Sequence, residues 1–258
     1  MILEERLQAI MKIVEVKRAV SVQELCSRLG TSESTIRRDL TLLGDRGLLI
    51  KVHGGATAID VGYDTREDDV ELRRKLYTEE KVRIAKYAAS LVSKDDFVYL
   101  DAGTTTALMI DSLAERGARY VTNAAEHAKK LAQLGCTVYL LGGLYKAATE
   151  AIIGAEAIED IMRYNFTKGF FGTNGIHPDA GFSTPDAEEA LVKSQACRRC
   201  RERFILADTS KFQKISSVTF LGYDEASIIT TELEDERYNE QPNVLEVDRL
   251  IPPSRLRK

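Results

Sequence analysis

Residues 32–46 read SESTIRRDLTLLGDR and are followed at once by Gly47. Ile36, Leu40 and Leu43 recur at i, i+4 and i+7, so one face of a helix is apolar, while Ser34, Thr35, Arg37, Arg38 and Thr41 fall largely on the rest. Ser32 or Thr31 can cap its start, and Gly47 stands where a left-handed residue ends a helix. Guanidinium donors match both phosphates and base edges, and small hydroxyl side chains reach between them. The stretch reads as a DNA recognition helix, with one face for a core and one for a ligand.

The residues on either side complete a small domain. Leu3, Leu7, Ile10 and Val14 are spaced as on one face of a helix over 3–17. Ser21 and Glu24 form a capping box for a short second helix on which Val22, Leu25 and Leu29 face one way, and Gly30 ends it. Three short helices with a tight turn between the last two match the helix-turn-helix pattern. Beyond Gly47, Leu48 to Val52 is β-prone, His53-Gly54-Gly55 is a turn and Ala56 to Ala58 can return as a second strand. This is the wing of a winged helix, with Lys51 and His53 placed to touch a phosphate or a groove. On these residues alone a dimerisation module with solvated arginines fits as well. Asp39, a carboxylate among DNA-facing residues, reads as orienting an arginine, which one being left open.

Composition sets the bounds. The 258 residues, 44% hydrophobic and 29% charged, suffice for a small domain plus a medium one with a sizeable core. The net charge of −4 divides unevenly: residues 1–57 carry nine Lys or Arg against seven Asp or Glu, so a weakly basic head precedes an acidic body. Cysteines at 26, 136, 197 and 200 do not form a secreted disulfide framework, and no run of about 18 apolar residues or signal peptide is present. A cytoplasmic protein with no membrane association is expected. Cys197 and Cys200 offer two ligands, and neither His127 nor His177 stands at a spacing that supplies more, so no metal or cofactor is expected and the pair reads as structural or incidental.

Residues 58–77 are dense in charge and read as a solvated linker turning helical towards residue 78. From 78 to 258, β-prone runs at 97–100, 120–122, 138–141, 169–171, 204–207, 218–221 and 228–230 alternate with helix candidates near 79–93, 104–116, 124–134, 150–162 and 186–202. Such alternation means an α/β domain with a largely parallel sheet, whose ligands gather at the carboxyl ends of the strands. The first strand ends in YLDAGTTTALMI: it delivers Asp101, Gly103 permits a tight turn, and Thr104, Thr105 and Thr106 open a helix. Three hydroxyls with free N–H groups at a helix start either cap it or hold an anion. The segment is neither a P-loop nor a dinucleotide fingerprint. Thr122-Asn123, Gly142-Gly143 and Gly172-Thr173-Asn174-Gly175 follow later strands, each a plain turn or part of a shared cleft. Thr184 or Asp186 can start a helix on which Glu189 and Lys193 lie four apart, either a site pair or a helix-stabilising ion pair, and Asp208 to Lys211 ends a further strand with a carboxylate, two hydroxyls and an amine.

Arg6, Ile10, Val14, then Ser32, Thr35, Ile36, Arg37, Arg38, Asp39 and Leu40, and the His53-Gly54-Gly55-Ala56 wing resemble the head of the DeoR family of bacterial transcriptional regulators. DAGTTT, the Thr-Asn and Leu-Gly-Gly turns, Asn174-Gly175, the Thr184 to Lys193 segment and ADTSKF resemble the sugar-phosphate-sensing domain of the same family, so the resemblance spans nearly the whole chain. It implies a winged helix-turn-helix domain at 1–57, a linker at 58–77 and, at 78–258, an effector-binding and oligomerisation domain similar in fold to ribose-5-phosphate isomerase. It implies binding of double-stranded operator DNA, usually as a repressor, and a phosphorylated sugar as effector, with phosphate at Thr104 to Thr106 and sugar hydroxyls on polar residues such as Asp101, Asn174, Lys193 and Lys211. Fructose 1-phosphate is the first candidate, because GTNG followed by GFSTPD and the Glu189 to Lys193 pattern looks like fructose-operon members. Symmetric operators imply a homodimer or homotetramer. The rival is a sugar-phosphate isomerase using Asp101, Glu189, Lys193 and Asp208 as acid and base; likeness of fold does not transfer that chemistry, and the chain is expected not to be an enzyme.

Overall fold

The computed structural model describes residues 2–46, 48–52, 54–58, 63–64, 70–233, 238 and 241–250. Gly47 and His53, expected to end the recognition helix and to stand on the wing, lie outside the described residues. The chain divides into two compact units, Met1–Gly62 and Tyr63–Lys258.

In the first unit α1 (Leu3–Lys17), β1 (Ala19–Ser21), α2 (Val22–Leu29), α3 (Glu33–Asp45), β2 (Ile50–Val52) and β3 (Gly55–Thr57) follow one another. The helix starts are made by hydroxyls: Ser21 Oγ accepts from the Glu24 N–H and Ser32 Oγ from the Thr35 N–H. Gly30 ends α2 at φ +61°, a left-handed conformation that costs glycine little. Leu7, Ile10, Val14, Leu25, Ile36, Leu40 and Leu43 form one core, so the apolar stripes of all three helices meet. The wing has three strands in the order β1-β3-β2, not the two expected. A run of three residues between helices is too short to show a strand period. Gly55 makes the extra pairing feasible, because a Cβ there would overlap the Val20 carbonyl.

Asp39 is 3% exposed and accepts from Arg6 Nε at 2.5 Å and Nη2 at 3.2 Å. The arginine it orients therefore belongs to α1, and the pair bolts α1 to α3 with the planar fork that guanidinium and carboxylate form together.

The second unit contains β4 (Tyr63–Asp64), α4 (Val70–Lys75), α5 (Thr78–Ser90), β5 (Phe97–Leu100), α6 (Thr104–Asp111), β6 (Arg119–Thr122), α7 (Ala125–Gln133), β7 (Thr137–Leu140), β8 (Leu144–Lys146), β9 (Ala151–Ile153), α8 (Ala155–Met162), β10 (Phe166–Gly172), β11 (Gly175–His177), β12 (Gly181–Thr184), α9 (Ala187–Arg198), β13 (Cys200–Leu206), β14 (Ile215–Ser216), β15 (Val218–Leu221), β16 (Ser227–Thr230), β17 (Val244–Glu246) and α10 (Val247–Leu250). Seven strands make one parallel sheet in the order β17-β16-β13-β10-β5-β6-β7. Its central strands are buried on both faces, so consecutive residues serve opposite layers. Val98, Leu100, Phe170, Leu206 and Ile229 pack with Ile84, Ala88 and Ile110 of α5 and α6, whereas Tyr99, Phe171, Ile205 and Ile228 pack with Ala157, Ile161, Ala190 and Ala196 of α8 and α9.

Several expectations need correcting. Residues 218–221 are not in the parallel sheet; β15 pairs antiparallel with β12 in a second sheet ordered β11-β12-β15. The helix expected from 150 begins at Ala155, because Ala151–Ile153 is a strand and Gly154, at φ +99°, breaks the chain between them. The helix expected over 104–116 stops at Asp111. The one expected over 186–202 stops at Arg198, so Cys197 is helical while Cys200 opens the central strand β13. Both thiols are buried, Cys200 donates to the Ala196 carbonyl, and burial pushes its thiol up to about 12. Of the stretch read as a solvated linker, Ala58 belongs to the first unit, its N–H donating to the Arg18 carbonyl at 2.8 Å, and the described parts from Tyr63 on are built into the second: β4 pairs with β14, Val70 is 5% exposed in α4, and Tyr77 is 8% exposed.

The crowding at Gly55 has a direct consequence. Gly55→Ala must push β1 away from β3, and urea unfolding of the full chain followed by circular dichroism is expected to show a loss of about 1–3 kcal/mol; an unchanged midpoint would mean that β1 is not held at the wing.

Candidate functional site

On α3 the buried residues Ile36, Asp39, Leu40 and Leu43 take the core side. Ser34, Arg37, Arg38 and Thr41, at i, i+3, i+4 and i+7, are all exposed and share the opposite side, with half-buried Thr35 at its margin. Arg37 Nη2 donates to Glu33 at 3.2 Å, an exposed pair that a stronger anion can exchange. Thr41 Oγ1 donates to the Arg37 carbonyl at 2.8 Å and accepts from Lys51 Nζ at 2.7 Å, which ties the amine of β2 to the same surface. An exposed helix face carrying two guanidiniums, hydroxyls and an ammonium suits the phosphates and base edges of a groove.

In the second unit β5, β10 and β13 end around a cavity of about 570 Å³ with its open mouth included. Gly103, Thr104, Thr105 and Thr106 come to it from the start of α6, Asn174 from the end of β10, Glu189 and Lys193 from α9, and Asp208 and Lys211 from the end of β13. Behind this lining Asp101, 1% exposed, accepts from Lys193 Nζ and, at 3.0 Å, from the Gly172 N–H, while Lys193 Nζ also donates to the Gly172 carbonyl at 3.2 Å. Burial pushes the Asp101 carboxyl up, and the Lys193 ammonium and Gly172 N–H pull against that. Glu189 and Lys193 do not pair as the i, i+4 spacing allowed. Glu189 Oε1 instead accepts from Thr149 at 2.5 Å and from Lys146 at 3.2 Å.

Arg73, Lys81 and Thr149 line the cavity without having been singled out from the sequence. Lys81 had a signal: it occupies the buried stripe of α5 with Ile84, Ala85 and Ala88, where a lysine has no structural reason to be. Its Nζ donates to the Arg73 carbonyl at 2.6 Å and lies 4.0 Å from Asp208. Burial pushes its ammonium down to about 8, the Asp208 carboxylate opposing. Burial alone would raise the Asp208 carboxyl, but Lys211, Lys81 and the Ser210 hydroxyl together hold it below its ordinary value.

The remaining predicted residues stand outside the lining. Thr122 Oγ1 accepts from the Ala124 N–H at 3.1 Å. Asn123 braces the turn after β5, its Oδ1 accepting from the Ala102 N–H at 2.8 Å and its Nδ2 donating to the Ile152 carbonyl at 3.3 Å. The Gly142 N–H donates to Asp160 at 3.0 Å, and Gly143, at φ +132°, lies against the Ile153 carbonyl. Gly175 presses on the Lys214 carbonyl, and Thr184 Oγ1 donates to Asn174 Oδ1 at 3.3 Å, holding that amide at the cavity. Thr106 lines the cavity, yet its hydroxyl is spent on the Asp101 and Gly103 carbonyls at 2.7 and 2.9 Å. Of the three hydroxyls at the start of α6, those of Thr104 and Thr105 remain for a ligand. Among the described residues no group of three or more His, Cys, Asp or Glu is arranged to hold a metal ion.

Removing one member of the buried ion pair exposes its cost. Lys193→Met is expected to destabilise the fold by about 3 kcal/mol in urea unfolding, and the double variant Asp101→Asn with Lys193→Met to recover most of that loss; additive losses would show that the two groups are not coupled.

Comparison with known proteins agrees with this layout. Residues 6–61 match the DeoR-like helix-turn-helix domain and residues 77–232 the DeoR C terminal sensor domain. The chain is 44% identical over 237 residues, 91% of its length and 93% of the relative's, to the uncharacterized HTH-type transcriptional regulator FruR of Bacillus subtilis strain 168. It is 31% identical, over 90% of its length and 93% of the relative's, to the lactose phosphotransferase system repressor of Streptococcus mutans serotype c. Among solved structures, ribose 5-phosphate isomerase A of Methanocaldococcus jannaschii overlaps 52% of this chain and 54% of its own at 18% identity and a TM-score of 0.40. Among the described residues no helix is long and apolar enough to cross a membrane. With both of its domains matched, and with relatives that are named as regulators and not as enzymes, the chain belongs to the DeoR family of DNA-binding transcriptional regulators.

Proposed function

We propose that this regulator represses a sugar-catabolic operon, and that a phosphorylated sugar in the cavity of the second unit controls its grip on double-stranded operator DNA. The observation that carries the reading is the charge of that cavity: with Lys193 matched by Asp101 behind it, Arg73, Lys81 and Lys211 face only Glu189 and Asp208 in the lining, beside the N-terminal amides of α6. A phosphate ester matches this excess. In the proposed pose the phosphate meets the Thr104 and Thr105 hydroxyls and the α6 amides, with Arg73, Lys81 and Lys211 supplying charge, while Lys193, Asn174 and Glu189 meet sugar hydroxyls. Asp101 acts through Lys193, which it holds in place. The relative named as a repressor of a lactose phosphotransferase system supports the sugar reading.

Ser34, Thr35, Arg37, Arg38, Thr41 and Lys51 form the proposed DNA surface. Operators read by such heads are symmetric, with half-sites about one helical turn apart, so the working form is a homodimer or homotetramer in the cytoplasm. Effector binding shifts the population towards an arrangement in which paired recognition helices no longer match both half-sites.

Two measurements test the reading. In thermal unfolding, fructose 1-phosphate or another sugar phosphate at about 100 times its dissociation constant stabilises the protein by about 2.7 kcal/mol, and the Arg37→Ala and Arg38→Ala variants keep that response while losing about 1–3 kcal/mol each in operator binding by fluorescence anisotropy. Full operator affinity in both variants, or no shift with any sugar phosphate, overturns the corresponding half.

A third measurement is the pH dependence of sugar-phosphate affinity. An anion bound beside Lys81 stabilises its charged form, so at pH values above about 8, where the free protein has lost that proton, binding must take one up. Affinity is expected to fall as pH rises through about 8, and calorimetry in buffers of different ionisation heat should show proton uptake there; a flat profile would remove Lys81 from the phosphate site.

A further inference from the structure

A second cavity in the same unit, about 620 Å³ with its open mouth, shares Ala102–Thr104 and Thr149 with the first as a common wall. Its charge is different. Arg74 and Lys130 are matched in the lining by Glu126 and Glu150. Both cations are also engaged already, Arg74 donating to Glu150 at 2.6 Å and Lys130 to Asp111 at 3.1 Å. An anion finds no uncompensated charge there. Val70, Ala107 and Ala124 supply an apolar floor.

His127 of α7, 5% exposed, lines this cavity too, and its Nδ1 is buried without a hydrogen-bond partner. Burial pushes the imidazole down to about 4 against the pull of the Gly103 carbonyl. At neutral pH the ring is therefore uncharged, with one donor and one acceptor nitrogen. Buried polar atoms are nearly always paired, and an unpaired one beside a cavity marks a place for a partner atom.

We propose that this second cavity binds a small uncharged molecule bearing several hydroxyl groups, an unphosphorylated sugar or polyol, with a hydroxyl hydrogen-bonded to the His127 imidazole and its C–H face on Val70, Ala107 and Ala124. Apolar walls with a few polar groups are what a sugar ring requires, its edges being polar and its faces not. The neighbouring residues Arg73 and Arg74 of α4 line the first and the second cavity respectively, so filling either one acts on the same short helix and the same wall. The regulator then reads the phosphorylated and the free form of a sugar together. This coupling rests on the proposed sugar-phosphate site; binding in the second cavity does not.

The test is calorimetric titration of the full-length protein with D-fructose, D-glucose and D-mannitol, paired with ring spectra of nitrogen-15-labelled histidine, of which the chain has three. At about 10 mM, ten times a millimolar dissociation constant, at least one probe should saturate and shift the His127 resonance. His127→Phe and, separately, Ala107→Leu, which fills the cavity from α6 and leaves the imidazole in place, should each weaken it about tenfold or more. Lys211→Ala, confined to the first cavity, should leave it unchanged. No saturable response from any probe overturns the proposal whatever the sugar phosphates do, and so does a response that Lys211→Ala abolishes, since that ligand would sit in the first cavity.

Discussion

The ion pair between Asp101 and Lys193 is the constraint on which the body's architecture turns. It joins the end of β5 to the middle of α9, and through the Gly172 N–H and carbonyl it takes in the end of β10 as well. A carboxylate and an ammonium withdrawn from water this far are tolerable only when each has its partners, so three elements distant in sequence must arrive together. That requirement shapes the mouth of the sheet. Because Lys193 is the group that matches Asp101, the positive balance of the cavity rests on Arg73, Lys81 and Lys211, which face only Glu189 and Asp208 in the lining.

The head uses the same device for the opposite purpose. Asp39 lies in the middle of the helix whose outer face is proposed to meet a polyanion, where an uncovered carboxylate would repel it. Arg6, from another helix, covers it at 2.5 Å, so Asp39 does not compete for Arg37 and Arg38 on the exposed side of α3. In both units an ion pair takes a buried carboxylate out of the charge that the neighbouring surface presents.

Much of this was legible in the sequence, and where it was not there are physical reasons. The helix boundaries of the head follow from Ser21, Ser32 and Gly30, because caps are local chemistry. The parallel sheet follows from uninterrupted apolar runs such as Val98 to Leu100 and Phe170 to Phe171. The 218–221 run looked identical to these, since membership of one sheet or another is decided by partners far along the chain. The strand Ala151–Ile153 hid inside a helical pattern because a short apolar run fits both periods. At the cavity, residues on strand-end motifs could be named, whereas Arg73 and Lys81 come from helices that carry no motif: Lys81 shows only as a lysine on an apolar stripe, and Arg73 enters only through tertiary packing. Thr122, Asn123 and Gly142 are turn residues of the right type at the right strand ends, yet their polar groups hold the turns around the cavity and do not line it.

The order of strands in the large sheet also governs how the molecule comes into being. The head closes with pairings such as Arg6 with Asp39, 33 residues apart, and needs nothing beyond Thr57 of β3 for its wing. The body cannot assemble its centre until β10 is available to β5, as in the contact of Lys168 with Asp96 across 72 residues, and its far edge waits for Val244–Glu246. Contacts that must close long loops form slowly, and chains emerge from the ribosome amino end first. A nascent chain of this protein therefore displays a finished nucleic-acid-binding fold while its sensing half is still unformed, so for the interval of synthesis the head is without its control.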